Sequence, residues 1–246
     1  MWQDNGHYYE AIGGSFTWEA AYADAQTRIF NGVQGHLVTL TSSGENDFVW
    51  TNFPFTHYFI GGYQPPGSVE PDGGWLWITG EPWVWVNWAS GEPNNNGDEK
   101  YIQFNYTGGG FWNDVGVWNS GYIVEYDMTV PDIKANDSDG PLSIAAIDIL
   151  SLTVSLSAGA NAGQNADWWV LGDTSFGYYY YDLSLNWQRG LNVTHQGPLF
   201  DLNPNGVLNR KIPPGFYTFY FGVDMNMNGS LDANWIYDSV EVTVTP

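Results

Sequence analysis

Over residues 129–142, Thr-Val-Pro-Asp-Ile-Lys-Ala-Asn-Asp-Ser-Asp-Gly-Pro-Leu, the sequence loses periodicity and gathers proline, aspartate and glycine. The pattern before this break differs from the pattern after it, and that difference constrains the fold more than any other feature. Upstream, two stretches with helical spacing precede a series of short aromatic strands. Thr17 can cap a helix whose apolar face is Trp18, Ala21, Tyr22 and Ala25. Residues 36–40 read as a strand, and Ser42 with Glu45 has capping-box spacing ahead of Phe48, Val49 and Trp50. Downstream the helical signal is gone. Leu150, Leu152, Val154 and Leu156 alternate with Ser151, Thr153, Ser155 and Ser157, as in a half-buried strand. Residues 168–171, 178–181, 216–223 and 240–244 read as further strands. The expectation is an α+β domain over 1–128, a linker over 129–142 and an all-β sandwich over 143–246.

Composition narrows the functions. The 246 residues carry 6 Lys and Arg against 27 Asp and Glu, a formal charge of −21. So few cations cannot build a footprint for phosphate, which argues against nucleic acid and anionic membranes. No apolar run approaches the roughly 18 residues of a membrane span. No signal peptide is visible, and the chain reads as an excised piece or a mature form with Met1 added. The absence of cysteine removes disulfides, thiolate zinc sites and cysteine nucleophiles together. His7, His36, His57 and His195 stand apart in the sequence and read as structural.

Oxygen-bearing side chains gather in residues 91–114. Glu92, Asn94 and Glu99 share a loop that Pro93 stiffens and Gly97 lets turn. Asn113 and Asp114 follow an extended run and a Gly108-Gly109-Gly110 turn, so a hairpin can bring the two groups side by side. Three carboxylates and two amide carbonyls suit a hard cation such as Ca²⁺, which takes about six to eight oxygens. The local alternative is a plain surface turn, because Asn, Asp and Gly are common in any loop.

Gly91-Glu92-Pro93-Asn94, a following acidic residue and Trp112-Asn113-Asp114 together resemble the C-type lectin family. Upstream, Ser15 to Ala21, Gly35-His36-Leu37-Val38, Glu45-Asn46-Asp47-Phe48, Phe59-Ile60-Gly61-Gly62, Trp75-Leu76-Trp77 and Asn87-Trp88 resemble its segments in order. Tyr122-Ile123-Val124-Glu125 resembles its closing strand. The resemblance implies that Glu92, Asn94, Glu99, Asn113 and Asp114 ligate Ca²⁺. It also implies that the first four hydrogen-bond two neighbouring sugar hydroxyls, with a cis bond before Pro93. A Glu-Pro-Asn sequence implies a mannose-type glycan: mannose, glucose, N-acetylglucosamine or fucose. Relatives carry an auxiliary calcium ligand where this chain has Lys100, so that site should be lost or rebuilt near Glu70 and Asp72. The animal family's two disulfides would fall at Ala25 with Val124 and Tyr101 with Val117, where apolar packing would have to replace them. A cysteine-free version suggests a bacterial or archaeal source.

In the second half, Asp224, Asn226, Asn228, Gly229, Ser230 and Asp232 have the spacing of an EF-hand loop up to its ninth position. Position twelve is Trp235, so this is not a full EF-hand, and Asp238 is the candidate for the missing carboxylate. The expectation is a structural calcium that braces a hairpin. Residues 178–181 with Trp168, Trp169 and Trp187 could stack on sugars, but such aromatics more often pack between sheets. The combined expectation is an extracellular, calcium-dependent carbohydrate-binding protein without catalysis. The alternative is a calcium-stabilised protein-binding or adhesion module on the same fold, without sugar binding.

Overall fold

The structure, a computed structural model, describes residues 1–2, 5–184 and 186–246. It divides into two compact units, Met1–Asp127 and Met128–Pro246. The linker expected over 129–142 is corrected. Val130–Ala135 is a strand of the second unit. Pro131, Ile133 and Ala135 point inward while Asp132 and Lys134 are half-exposed, a two-residue period hidden among turn formers. Proline is tolerated there because the strand lies at the edge of its sheet.

In the first unit the elements run β1 (Tyr8–Phe16), α1 (Trp18–Ala25), β2 (Ile29–Phe30), β3 (Val33–Gln34), β4 (His36–Leu37), α2 (Ser43–Asn52), β5 (Tyr58–Tyr63), β6 (Leu76–Trp77), β7 (Tyr101–Phe104), β8 (Asn113–Val115) and β9 (Ser120–Tyr126). One sheet has the order β1-β9-β5-β7-β8, with β4 added beside β9 and β6 beside β5. Thr17 caps α1 by accepting from Ala20 N at 3.2 Å. The helix buries Trp18, Ala21 and Ala25, whereas Tyr22 is exposed. At α2 only half of the expected capping box forms. Ser42 Oγ accepts from Glu45 N at 3.2 Å, but the Glu45 carboxylate turns to Thr41 N at 2.8 Å and the Tyr9 hydroxyl at 2.8 Å. The apolar pairs expected in place of disulfides also diverge. Ala25 and Val124 are fully buried, but Val117 is fully exposed and packs nothing, while Tyr101 stacks on Trp18 with ring centroids 4.5 Å apart.

In the second unit the strands are β10 (Val130–Ala135), β11 (Leu142–Ala145), β12 (Leu150–Ser157), β13 (Asn165–Thr174), β14 (Gly177–Asp182), β15 (Asn186–Arg189), β16 (His195–Pro198), β17 (Leu202–Arg210), β18 (Gly215–Asp224) and β19 (Ile236–Thr245). They form a β10-β12-β17 sheet and a β11-β19-β18-β13-β14-β15 sheet with β16 beside β13. The alternation read in 150–157 is real: Leu150, Leu152, Val154 and Leu156 face a core shared with Trp168, Val170, Phe219, Phe221, Val240 and Val242 from the other sheet. Burying a large apolar side chain in such a core contributes about 1.5–3 kcal/mol. Trp168 and Trp169 are buried rather than presented as a stacking platform, and Trp187 spends its indole N–H on Val207 O at 2.9 Å.

Candidate functional site

A floor of tryptophans holds the first acidic loop. Trp75, Trp77, Trp83, Trp85, Trp88 and Trp112 pack together, with Trp112 edge-on to Trp77, Trp85 and Trp88 at 5.3–5.8 Å. Trp112 is fully buried and donates its indole N–H to Asn46 Oδ1 at 2.9 Å. Its backbone holds both ends of the preceding segment, donating to Asn87 O at 2.8 Å and accepting from Ala89 N at 2.8 Å. The next two residues, Asn113 and Asp114, are thereby placed under the loop by an anchored strand.

Asp114 is fully buried, yet its carboxylate reaches the loop. It accepts from Asn94 N at 3.0 and 3.1 Å and from Asn95 N at 2.7 Å. The Glu92–Pro93 bond is cis, and the Asn94 amide donates to Glu92 Oε2. Glu99 Oε2 accepts from Asn96 N at 2.8 Å, and Asn95 Oδ1 accepts from Glu99 N at 2.7 Å. Asn95 and Asp98 adopt positive φ values of 50° and 70°, the left-handed conformation that Asn and Asp tolerate best after glycine. Glu92, Asn94, Glu99 and Asp114 thus share one neighbourhood. Asn113 contacts Gln103 at 3.5 Å.

The electrostatics of this neighbourhood are one-sided. Burial raises the Glu92 carboxyl above its usual range, and the adjoining Asp114 carboxyl and the charges of Asp114 and Glu99 push it further. Burial and the Asp114 charge likewise raise Glu99, against a lowering bond from Asn96 N–H. Among the described residues, no Lys, Arg or His forms a salt bridge with these carboxylates. Lys100, the nearest ammonium in sequence, pairs instead with Asp98 at 2.9 Å. The carboxylates and the carbonyl of Asn94 form an all-oxygen set suited to a hard dication. Glu70 and Asp72 are exposed on a separate loop.

The second loop closes the hairpin between β18 and β19. Asp224 is nearly buried, and its two oxygens accept from Asn226 N at 3.0 Å and Asp232 N at 2.8 Å. Asn226 donates from its amide to Asp232 Oδ2 at 2.7 Å, and Asn228 Oδ1 accepts from Ser230 N at 2.7 Å. The residue proposed to complete this loop is corrected. Asp238 turns to the other sheet and accepts from Ile133 N at 2.9 Å. Asp167 of β13 stands opposite Asp224 in register and is fully buried. Its oxygens accept from Gly229 N at 2.6 Å and from the Gln196 amide at 2.7 Å. Sequence reasoning missed Asp167 because it lies outside the loop motif. The one signal was a carboxylate directly before the buried Trp168-Trp169 pair, where an inward-facing acid needs partners.

Two of the four histidines are less isolated than their spacing suggested. His7 Nδ1 lies 2.8 Å from Glu125 Oε1 and 3.3 Å from Asp127 Oδ1, and His36 Nε2 lies 3.0 Å from that same Asp127 oxygen. Burial alone would lower the His36 pKa, but the Asp127 bond and the charges of Glu125 and Asp127 outweigh it and hold it at about 9.

No family model matches the chain. It is 35% identical over 142 residues to halomucin of Haloquadratum walsbyi, a match covering 52% of this chain and 2% of that protein. It is 30% identical over 115 residues to a lectin of Pleurodeles waltl, covering 44% of this chain and 62% of the lectin. The chain therefore spans less than two thirds of either relative's length. Among solved structures it is similar to the C-type lectin CEL-I of Cucumaria echinata, at 26% identity and a TM-score of 0.43 over 49% of this chain and 89% of that one. No helix among the described residues is long and apolar enough to cross a membrane.

Proposed function

We propose that this chain, a C-type lectin-like domain followed by a β-sandwich, is an extracellular calcium-dependent carbohydrate-binding protein. The observation that carries the reading is that Glu92, Glu99 and the buried Asp114 share one loop neighbourhood with no basic partner among the described residues. Like charges so placed destabilise one another, and a divalent cation reverses that sign. Glu92, Asn94, Glu99 and Asp114 would hold Ca²⁺, with Asn113 joining from the adjacent strand. The bound ion would supply open coordination positions for two sugar hydroxyls.

The chain's own residues then set the hydroxyl geometry. A carboxylate oxygen accepts from a hydroxyl, while an Asn held through its carbonyl donates from its NH₂. Glu92 and Glu99 therefore act as acceptors, and Asn94 and Asn113 as donors. That order supports a mannose-type glycan, with vicinal equatorial hydroxyls, over a galactose-type one. In the second unit, Asp224, Asn226, Asn228, Ser230, Asp232 and Asp167 would hold a structural Ca²⁺ that braces the hairpin. A glycan array run with calcium and with EDTA tests the reading. Calcium-dependent retention of mannose-type glycans is expected, and retention that ignores EDTA would overturn it.

A further inference from the structure

His7, Glu125 and Asp127 come from the two ends of the first unit, where β1 and β9 pair antiparallel with Tyr8 opposite Tyr126. Their ligand atoms, one from each side chain, all lie within 4.8 Å of one another, a spacing met by no other His and carboxylate trio among the described residues. His36 reaches the same Asp127 oxygen from the neighbouring strand β4. Two imidazoles and two carboxylates thus converge at one sheet edge.

The surroundings hold both carboxylates in a ligand's orientation. Glu125 Oε2 accepts from Thr39 N at 2.9 Å, so Oε1 is left facing His7. His36 Nδ1 lies 2.8 Å from Leu37 O. A carbonyl only accepts, so Nδ1 carries a proton, and the charged ring donates from Nε2 to Asp127, which fixes that carboxylate from outside. Such outer bonds orient the ligands of metal sites. Glu45 and Glu81 add carboxylates nearby, through Tyr9 and Thr39 respectively. Four carboxylates against two imidazoles leave the neighbourhood negative. His7, His36 and Asp127 side chains remain 16%, 17% and 27% exposed, which leaves an ion a way in.

We propose that His7, Glu125 and Asp127 form a binding site for a zinc-class divalent ion, separate from both acidic loops, with His36 bracing Asp127 from outside. With metal–ligand bonds of about 2.0–2.2 Å, neighbouring atoms of a tetrahedral shell lie about 3.3–3.5 Å apart. His7 Nδ1, at 2.8 Å from Glu125 Oε1 and 3.3 Å from Asp127 Oδ1, needs an opening of a few tenths of an ångström, and the trio leaves a fourth position for water. Mixed imidazole and carboxylate ligation suits Zn²⁺, whereas the all-oxygen loops suit Ca²⁺. The two ions therefore sort by ligand chemistry. Metal entering here displaces a proton from His7, and it fastens the first strand of the unit to its last.

The test is zinc titration of the chelator-stripped chain in millimolar Ca²⁺, by calorimetry, with visible absorption of the Co²⁺-substituted protein. One tight equivalent with an imidazole nitrogen in its zinc-edge X-ray absorption spectrum is expected. His7→Gln and Asp127→Asn, which keep side-chain hydrogen bonding, should each weaken zinc at least about tenfold. His57→Gln and His195→Gln should leave it unchanged. Circular dichroism and calcium-dependent melting report whether each variant is folded. No zinc uptake, an oxygen-only shell, or equal affinity in folded His7→Gln and Asp127→Asn would reduce the cluster to an ion-pair network and overturn the assignment.

Discussion

The two acidic loops are built from similar residues but supported differently. In the first unit the loop is long, and its buried anchor Asp114 arrives on a short strand held by Trp112. Glu92 and Glu99 stay at the surface, where a bound ion would keep positions open to a ligand. In the second unit the motif closes on itself. Asp224, Asn226, Asn228 and Asp232 bond within the loop, and Asp167 holds it from below at Gly229 N. The contrast is between a loop whose half-buried Glu92 and Glu99 stand above one buried anchor and a loop held by two buried carboxylates, Asp167 and Asp224. On the proposed function, the first geometry would serve recognition and the second stability.

The largest expected effect separates the loops directly. Asp114→Ala removes the acceptor shared by Asn94 N and Asn95 N, each worth about 1–3 kcal/mol when buried and left unpaired. Calcium-dependent glycan retention on an affinity column should disappear. Asp224→Ala should leave retention within about twofold and lower the melting temperature of the second unit alone. If Asp224→Ala also abolishes retention, the functional separation of the loops is broken.

Asp167→Ala sharpens the comparison inside the second unit. It strips acceptors from Gly229 N and Gln196, so a loss of about 3 kcal/mol in stability is expected by denaturant titration. Its calcium-induced stabilisation should vanish too. Asp238→Ala should preserve that calcium response, because Asp238 serves Ile133 N. A response that depends on Asp238 and ignores Asp167 would reinstate the residue suggested by loop spacing.

Calcium removal acts on both loops at once. An ion at 100-fold excess over its Kd stabilises by about 2.7 kcal/mol per site. Scanning calorimetry in calcium and in EDTA should show both units shifting upward with the ion. An unchanged trace would remove calcium from the account of either loop.

The smallest effect is one of selectivity. Exchanging Glu92→Gln with Asn94→Asp preserves size and total charge but reverses donor and acceptor. An unmatched polar group costs about 1–3 kcal/mol, or about one to two decades in affinity. Competition with free mannose and galactose should show the native chain preferring mannose and the double variant losing much of that preference. A native preference for galactose would show that these residues do not order the hydroxyls as proposed.

What the sequence determined by itself was whatever closes within a few residues. The cap at Thr17, the alternation of 150–157 and the joining of Glu92, Asn94 and Glu99 in one loop all belong to that class, as does the self-bonded motif from Asp224 to Asp232. The hydrogen bonds of the cap and within the two loops span two to eight positions, and local spacing encodes them. The alternation of 150–157 is legible as side-chain spacing although its ladder partners lie far off. Tertiary structure alone decided which distant group stands opposite. Asp167 meets Gly229 across 62 positions, and His7 meets Glu125 across 118. Those meetings depend on strand register, and a shift of one residue would turn each side chain to the other face. Tertiary structure also left Val117 in solvent, drew the Glu45 carboxylate from its own helix cap to Tyr9, and made a strand of 130–135. For Glu45 and for 130–135, a partner far along the chain outweighed the local preference.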